Sequence, residues 1–327
     1  MNQGASSAQP ISFPAADGYP LRGFQWRHAR ADGGRPIVLI NPATSVRCRY
    51  YARFAAFLHA HGFDVVTYDY RGIGESRPES LRGFEAGWID WGRLDVEGAL
   101  RYAHENFPGQ PIHVAAHSVG GFLLGLAPSS HRVSRVFTMG AQYAYWRDYA
   151  RHKRAGMFLK WHVFMPALTA VFGYFPGGRL GWLEDTPRGV VRDWTARHPR
   201  FEEAWRRGAV RLPDPERREL VERFAALRGE TLAVSMSDDE FGTVDAIRRL
   251  LGYYRNSPRT HLHLTPAAIG QQQVGHFAFF NSRFEHSLWR IPLEWLRHGR
   301  LPAEPKGDVL TLQADAAQRA TQAFTGT

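Results

Sequence analysis

The stretch PIHVAAHSVGGFLLG, residues 111–125, carries the strongest structural signal in this chain. Its first part is apolar and predicts a buried strand over Ile112–Ala116, while the apolar residues after Ser118 predict a helix. A serine on such a sharp turn between a strand and a helix holds its hydroxyl above the edge of a sheet. The turn needs small neighbours because backbone segments approach each other closely there, and Ala116 and Gly120 supply them.

Ser118 on its own admits two interpretations. A serine at the start of a helix is often only an N-cap. It becomes a nucleophile if a base takes its proton and an acid orients that base. Both residue types follow at predicted strand ends: Asp238 and Asp239 in VSMSDDEFG, and His276 in QQVGHFAFF. The order serine, aspartate, histidine is that of hydrolases with a nucleophile elbow.

Short β-rich runs alternate with helical patterns before residue 140, which is typical of a mostly parallel sheet wrapped by helices. Helices are predicted over Tyr50–His61 and Trp88–Asn106, each between two strands, and a final one over Phe284–Arg297. The predicted strands are Ile11–Ala15, Leu21–Trp26, Ile37–Asn41, Val65–Tyr68, Ile112–Ala116, Val133–Met139, Thr231–Ser235 and His261–Leu264.

The pattern changes after the sixth strand, where residues 141–228 contain helix formers interrupted by prolines and no convincing strand. One α/β core with a helical insertion explains this more simply than two successive domains. We therefore predict a core from residues 10–140 and 229–300, interrupted by that insertion. Residues 1–9 are predicted to be disordered, and residues 301–327 to form a polar C-terminal tail.

Acyl transfer needs two N–H donors for the negative charge that develops on the substrate oxygen. The N–H of Val119 lies directly after the serine, at a helix N-terminus whose dipole favours negative charge. The second donor is expected in the loop NPATSV after the third strand. Pro42 has no N–H, which leaves Ala43 or Thr44, and Ala43 is the first candidate.

Five segments together resemble the α/β-hydrolase superfamily, and most of all its serine-esterase and serine-aminopeptidase-like members. They are VLINPATSV, FDVVTYDYRGIGESRP, AAHSVGG, VSMSDDEF and VGHFAFF, and the similarity extends over roughly residues 10 to 300. The resemblance implies an α/β-hydrolase fold with a mostly parallel eight-stranded sheet, helices on both faces and a helical cap inserted after strand 6. It also implies a triad of Ser118, His276 and Asp239, because the second aspartate of the similar E-D-D-P loop faces the histidine. Asp238 is the alternative acid.

The chain departs from the family pattern at two places. Ala116 stands where the elbow usually has glycine, and Asn41-Pro42 stands where the oxyanion loop usually has His-Gly. The resemblance further implies that Asp69, Arg71 and Gly74 of DYRGIGES organise a turn near the site.

Candidate substrate-binding residues lie beside the elbow and in the insertion, where this superfamily places its cap. The aromatic ones among them either line a substrate pocket or pack the cap on the core, and His117 is expected to pack rather than to act as a second base. The apolar run Phe158–Phe175, with Arg and Lys nearby, is a candidate for transient lipid contact, although Pro166 breaks its periodicity. The candidates are Thr44, His117, Trp146, Trp161 and Phe277. The same two interpretations apply to further aromatic residues of the insertion, namely Phe164, Phe172, Tyr174, Phe175 and Trp182.

Composition narrows the possible partners. The net charge is +10, and the stretch from Tyr145 to Arg228 holds 17 Lys/Arg against 10 Asp/Glu. No nucleic-acid-binding pattern accompanies this charge, so we predict no nucleic-acid partner. Cys48 is the only cysteine, which favours a reducing compartment. No leader pattern is visible, and the apolar window Val163–Pro176 is too short to span a bilayer, so we expect a cytoplasmic protein without integral membrane contact.

No cofactor or metal site is predicted. His261 and His263 share one face of a strand, but two ligands without a third do not make a metal site. The glycines of DYRGIGES lack the third glycine of a dinucleotide-binding motif, and no phosphate-binding GxxxxGK[ST] stretch occurs.

The sequence therefore predicts a serine hydrolase that cleaves a carboxylic ester, or a related acyl compound, through an acyl-enzyme on Ser118. An acyltransferase with the same triad and an acceptor other than water is the alternative. A non-catalytic module that binds a ligand or partner is the third hypothesis, and the presence of all three triad residue types argues against it. A serine at this position also argues against haloalkane dehalogenases and epoxide hydrolases, which use an aspartate there.

Overall fold

A computed structural model describes residues 8–29, 34–206 and 212–311. The strands in these ranges form one sheet in the order β1-β2-β4-β3-β5-β6-β7-β8-β9. Strands β3 to β8 run parallel, whereas β1, β2 and β9 add antiparallel pairs at the two edges. The strands are β1 Gln9–Pro14, β2 Pro20–Trp26, β3 Ile37–Asn41, β4 Asp64–Tyr68, β5 Ile112–His117, β6 Val133–Met139, β7 Glu230–Met236, β8 Arg259–Leu264 and β9 Gly307–Leu310.

The predicted fold class is confirmed, but the predicted number of strands is wrong at the C-terminal end. Strand β9 lies within the segment 301–327 that the sequence suggested was only a tail. This strand has four residues, none of them buried, and closely follows Pro302 and Pro305, so it lacks the alternating apolar pattern that marks a half-buried strand. At the other end β1 already begins at Gln9, inside the predicted disordered segment 1–9. Residues 1–7 and 312–327 lie outside the described residues.

The parallel strands are buried on both faces, which explains their nearly continuous apolar sequences. In β3, Ile37 and Leu39 belong to the core on one side of the sheet, while Val38 and Ile40 belong to the core on the other. The helices that follow cover these two faces. They are α1 Ala52–Ala60, α2 Trp88–Asp90, α3 Glu97–Asn106, α4 Val119–Leu126, α5 Arg154–Leu159, α6 Met165–Phe172, α7 Gly177–Leu180, α8 Arg188–Trp194, α9 Phe201–Ala204, α10 Asp214–Ala226, α11 Val244–Leu251 and α12 Arg290–His298.

Two of the longer helices contain a π-helical stretch. Trp91–Val96 joins α2 to α3, and Lys160–Phe164 joins α5 to α6. Helix α12 begins at Arg290, six residues later than the sequence suggests. Pro292 sits in its first turn, where a missing N–H costs nothing, so the helix starts just before the proline.

Residues 141–228 follow β6 and contain helices α5 to α10 but no strand within their described part. Several hydrogen bonds attach this segment to the core. The N–H of Glu184 donates to the carbonyl of Ser45 (3.1 Å), and the N–H of Trp88 donates to Oδ2 of Asp193 (2.7 Å). The segment is thereby held against the loop after β3 and the start of α2.

Candidate active site

Ser118 occupies a strained backbone conformation between β5 and α4. Its φ of 53° and ψ of −123° lie where residues other than glycine seldom occur. Such a conformation costs on the order of 1–3 kcal/mol and persists because the surroundings enforce it. Here the N–H of Ser118 donates to the carbonyl of Met139 (2.9 Å), which ties the turn to the end of the neighbouring strand β6.

Gly120 shows why the turn needs a small residue. A Cβ at this position would lie 2.5 Å from the carbonyl oxygen of Asn41 and 2.9 Å from that of Pro42. The side-chain amide of Asn41 also donates to the carbonyl of Gly120 (3.3 Å). The loop after β3 therefore rests directly on the first turn of α4.

His276 and Asp239 form a buried pair. Nδ1 of His276 lies 2.7 Å from Oδ2 and 2.9 Å from Oδ1 of Asp239. The backbone N–H groups of Phe241 (2.8 Å) and Gly242 (2.7 Å) donate to Oδ1 of the same carboxylate and fix its orientation. The structure thus places Asp239 against the histidine and leaves Nε2 as the ring nitrogen that remains for a substrate or nucleophile.

Asp238 has a different task. Its Oδ2 accepts hydrogen bonds from the N–H groups of Val274 (2.8 Å) and Gly275 (2.9 Å), just before His276. Asp238 therefore holds the loop that carries the histidine and does not contact the imidazole.

Gly140 is a second position where a side chain has no room. A Cβ there would lie 2.8 Å from Oδ2 of Asp239 and 3.1 Å from Nδ1 of His276, and the φ of Gly140 is +58°. This glycine ends β6 and lets the chain turn directly beneath the pair.

Ser118 and His276 line one cavity of about 130 Å³. The hydrogen bond recorded for Oγ of Ser118 comes from the side-chain amide of Gln142, at 3.4 Å. Among the described residues Oγ of Ser118 and Nε2 of His276 form no direct hydrogen bond, and such catalytic bonds often tighten only when substrate binds. The strand-end turns therefore bring the serine and the Asp239-oriented histidine to one enclosed space.

The candidate oxyanion donors differ in the partners of their backbone N–H groups. The N–H of Val119 lies at the first position of α4, where intrahelical partners are lacking, and Val119 lines the cavity. The N–H of Ala43 instead donates to the hydroxyl of Tyr51 (2.9 Å), so the prediction that it holds an oxyanion is wrong for this conformation. Thr44 is the other candidate from the same loop, and it lines the cavity. Within the described residues its N–H donates to no protein acceptor.

His117 does not reach the cavity, which corrects its prediction as a substrate-binding residue. It is fully buried, and burial together with the neighbouring His276 lowers its pKa well below the usual value, so the ring is neutral. Nε2 of His117 lies 2.9 Å from the carbonyl oxygen of His276, and Nδ1 lies 2.7 Å from the hydroxyl of Tyr51.

The directions of these hydrogen bonds follow from chemistry. A carbonyl only accepts, so Nε2 of His117 carries the proton and Nδ1 accepts from the hydroxyl of Tyr51. The oxygen of Tyr51 then accepts from the N–H of Ala43. Ala43, Tyr51 and His117 thus form a buried chain of hydrogen bonds that joins the loop after β3 to the backbone of His276.

The turn in DYRGIGES supports the same loop from the other side. The carboxylate of Asp69 accepts from the N–H groups of Cys48 (2.6 Å) and Glu75 (2.9 Å), and burial raises its pKa to about 6. A Cβ at Gly74 would lie 2.2 Å from Oδ2 of Asp69. Arg71 is held by Asp95 (2.7 Å) and does not face the cavity.

The lining of the cavity combines loops of the core with residues 141–228. Of the remaining predicted substrate-binding residues, Thr44, Trp161 and Phe277 line it. Trp146 does not, because its ring packs against Phe158 (4.8 Å between centroids). Trp182, also named from the sequence, lines the cavity as well. The sequence did not indicate Trp88, Gln142, Lys160, Trp194 and Phe241.

Two of the missed residues carry a signal that could have found them. Gln142 follows the end of β6, and Phe241 follows Asp239, so both come shortly after the carboxyl end of a parallel strand, where α/β folds bind ligands. Trp88 and Trp194 have no such signal, because Trp88 begins α2 and Trp194 ends α8, and both positions depend on how these helices pack.

Histidine clusters elsewhere do not form a convincing metal centre. His261 and His263 both lie 2.8 Å from the hydroxyl of Ser235, which bridges them. Ligand atoms of His28, His59 and Asp64 lie within 4.8 Å of one another at the opposite end of the sheet. The two imidazole rings of that second cluster are stacked with their centroids 4.0 Å apart, an arrangement that packing of two rings explains, and we assign no metal to these described residues.

Solved structures with similar folds cover most of the chain. Pyrococcus furiosus esterase Pf2001 has a TM-score of 0.54 at 14% identity, covering 90% of this chain and 92% of the esterase. An esterase domain from a Rhodothermus marinus protein has a TM-score of 0.54 at 16% identity, covering 89% of this chain and 98% of the domain. Mouse alpha/beta hydrolase domain-containing protein 10 has a TM-score of 0.52 at 13% identity, covering 90% of this chain and all (100%) of that chain.

The sheet order, the serine turn and these similarities show that the chain has an α/β-hydrolase fold. Residues 34–173 match the model of a family described as serine aminopeptidase, S33, which supports a hydrolase. No curated protein sequence matches the chain significantly.

Proposed function

We propose that the protein is a serine hydrolase that cleaves a carboxylic ester or a related acyl compound. The observation that carries the proposal is the meeting of Ser118, on its strained turn, and the buried His276–Asp239 pair at one cavity. A serine hydroxyl, a neutral imidazole and a carboxylate that orients the ring are the three groups that nucleophilic acyl transfer requires.

In the first half of the reaction, Nε2 of His276 takes the proton of Ser118 as Oγ attacks the acyl carbon. Asp239 stabilises the imidazolium that forms. The N–H groups of Val119 and Thr44 donate to the oxyanion of the tetrahedral intermediate. The imidazolium then gives its proton to the leaving alcohol, and the acyl group stays on Ser118.

In the second half, His276 takes a proton from water, and the resulting hydroxide attacks the acyl-enzyme. Collapse of this second intermediate releases the carboxylic acid and returns the proton to Ser118. Each proton that enters the ring leaves it again, so the enzyme is regenerated without a cofactor.

The cavity suggests a small acyl group. Its volume of about 130 Å³ is close to that of a cavity of roughly 150 Å³ that accommodates benzene in another protein. We propose that residues 141–228 act as a cap over this space, with Trp161, Trp182 and Trp194 as walls that limit acyl length. A series of p-nitrophenyl esters tests this: acetate, butyrate and benzoate should be cleaved with higher kcat/KM than octanoate and palmitate.

Fluorophosphonate labelling tests the nucleophile. The folded protein should lose activity as one phosphonyl group attaches to the peptide that contains Ser118, as detected by mass spectrometry. Ser118→Ala and His276→Ala should each lower kcat by about 10⁴-fold or more. The exposed Ser134 and His131 offer matched control variants, Ser134→Ala and His131→Ala. A folded protein that does not label at Ser118, or a Ser118→Ala variant that retains activity, would refute the proposal.

A further inference from the structure

Helices α5 and α6 and the π-helical stretch between them form one helix, Arg154–Phe172, with an unusual surface. This helix is long and apolar enough to cross a membrane by length and composition alone, because it begins nine residues before the window Val163–Pro176 that was too short by itself. The sequence suggested a break at Pro166, but this proline lies in the first turn of α6 and the helix continues through it.

The exposed positions of this helix are all apolar. At about 3.6 residues per turn they fall on one half of its circumference, which we call the outer face. Val171 is 75% exposed, Phe164 51% and Leu159 48%. The outer face consists of Ala155, Gly156, Leu159, Val163, Phe164, Ala167, Ala170 and Val171.

The opposite side of the helix packs against the rest of the protein. Met157, Trp161 and Met165 are buried, and the ring of Trp161 stacks on that of Trp194 at 5.0 Å. A helix attached along one side in this way cannot cross a bilayer without leaving its contacts. Its free apolar side can enter a membrane surface while the helix lies parallel to it.

The charge around the outer face points to the kind of surface it meets. From Tyr149 to Leu183 the sequence contains no Asp or Glu. The same stretch contains five cationic side chains: Arg151, Lys153, Arg154, Lys160 and Arg179. Lys153 is paired with Glu240 (2.7 Å), so the net positive charge comes from the other four. Basic residues beside an apolar helix face are the combination that binds bilayers with anionic headgroups. A second copy of the chain is a poorer fit, because it would bring two such basic stretches together.

Aromatic and aliphatic side chains extend this surface toward the cavity. Trp182 is 36% exposed, and its ring lies 4.2 Å from Nζ of Lys160. Leu180 is exposed as well, at 40%. Tryptophan and lysine are favoured at the boundary between headgroups and acyl chains.

We propose that the outer face docks on the surface of a lipid bilayer that contains anionic headgroups. The apolar side chains enter the bilayer surface, and the basic residues contact the headgroups. Docking does not depend on catalysis, so a failure of the proposed hydrolase activity leaves this inference standing, and the reverse also holds.

Vesicle co-sedimentation tests the proposal with the full-length protein. The protein should pellet with vesicles of equal phosphatidylcholine and phosphatidylglycerol, and much less with phosphatidylcholine alone. High salt should weaken the binding because it screens the basic residues. Phe164→Glu and Val171→Glu should each weaken binding by about tenfold or more, since each places a charge where the helix meets the acyl chains.

Val309→Glu is the matched control. Val309 is also an exposed valine, at 57%, but it lies on β9, so its variant should bind vesicles like the wild type. Far-UV circular dichroism and thermal unfolding of all variants check that the fold is intact, as expected for changes at exposed positions.

Three results would overturn the proposal. The first would be a wild type that does not pellet with anionic vesicles. The second would be outer-face variants that pellet as well as the wild type. The third would be a dimer in sedimentation velocity that Val171→Glu converts to a monomer, which would make this face an interface between two copies.

Discussion

The cavity has two kinds of wall. Its floor consists of the strand-end residues Thr44, Ser118, Val119 and His276, which hydrogen bonds and close backbone contacts hold in place. Its roof, from the segment 141–228, consists of side chains that meet mainly through stacking and cation–π contacts. The roof residues are Lys160, Trp161, Trp182, Leu183 and Trp194.

The two walls should differ in what they tolerate. Hydrogen bonds and backbone contacts depend steeply on distance and angle, so a small displacement in the floor removes the alignment needed for proton transfer. Contacts between large rings are weakly directional and can repack after a substitution. For the proposed reaction we therefore expect the floor to determine whether it occurs and the roof to determine which acyl group fits.

Apart from the loss of Ser118 or His276 itself, the largest effect is expected from Gly140→Ala. The new Cβ would lie 2.8 Å from Oδ2 of Asp239 and 3.1 Å from Nδ1 of His276, at a φ of +58° that alanine adopts with strain. We expect kcat/KM to fall by about 100-fold, because a shift of the pair by about 1 Å suffices for a loss of that size.

Gly156→Ala is the control for this variant. Gly156 lies on α5, its φ is not positive, and a Cβ there would meet no atom within 4 Å. Activity should be unchanged. Near-wild-type activity of Gly140→Ala would show that the floor is more adaptable than its contacts indicate.

His113, buried in the sheet, should make the folded protein less stable at acidic pH. His113 on β5 is 2% exposed, and burial lowers its pKa to about 4 from a usual value of 6.5. Between these two pH values the unfolded chain binds a proton that the folded chain does not. The contribution of His113 to stability is therefore retained above pH 6.5 and falls as the pH decreases toward 4.

His113→Leu should remove this dependence. Between pH 6.5 and 5 the wild type should lose about 2 kcal/mol of unfolding free energy through this residue, at about 1.4 kcal/mol per pH unit. Urea denaturation at the two pH values should show that His113→Leu loses correspondingly less, while the exposed His104→Leu behaves like the wild type. Equal losses in the wild type and His113→Leu would mean that other groups control acid stability.

Tyr51→Phe tests whether the buried chain of hydrogen bonds positions His276. The change removes the hydroxyl that bonds His117 and accepts from the N–H of Ala43. Two buried polar groups then lack a partner, and we expect kcat to fall by about tenfold with little change in KM, which corresponds to roughly 1.4 kcal/mol.

Whether Tyr51→Phe raises or lowers kcat distinguishes two roles for the Tyr51 hydroxyl. If Ala43 were an oxyanion donor that Tyr51 occupies, removing the hydroxyl would free its N–H and raise kcat. A lower kcat with an unchanged pH profile contradicts that alternative and favours a positioning role. Tyr50→Phe is a matched control, because the hydroxyl of Tyr50 bonds the carbonyl of Phe277 at an exposed site (2.6 Å).

The difference between the floor and the roof of the cavity also explains what the sequence could and could not predict. Ser118, Asp239 and His276 each follow a recognisable strand, and the carboxyl ends of parallel strands meet at one edge, so their assembly is predictable. The preference for Asp239 over Asp238 rests on a family resemblance, and the structure puts the same residue against the imidazole.

Long-range hydrogen bonds and helix packing were beyond the sequence. No sequence pattern indicates that the hydroxyl of Tyr51 accepts from the N–H of Ala43, because this contact depends on how the chain turns between β3 and α1. The roof residues are separated along the chain by short helices, whose relative orientation depends on packing that no periodicity records. Strand β9 was missed because an exposed edge strand of four residues has no apolar alternation.

The smallest effect is expected from Trp182→Ala in the roof. Trp182 is 36% exposed and contributes a cation–π contact to Lys160, so its removal should cost little stability. We expect KM for p-nitrophenyl butyrate to rise about threefold and kcat to stay within about twofold, since a contact worth under 1 kcal/mol is lost far from the reacting bond. The kcat/KM for longer acyl esters should rise relative to that for butyrate, because loss of the indole ring enlarges the cavity. Trp146→Ala is the control, because Trp146 lies outside the cavity and its loss should not change acyl preference. If Trp182→Ala instead lowered kcat as strongly as a floor variant, the roof would be aligning the reacting groups, and the division between the two walls would fail.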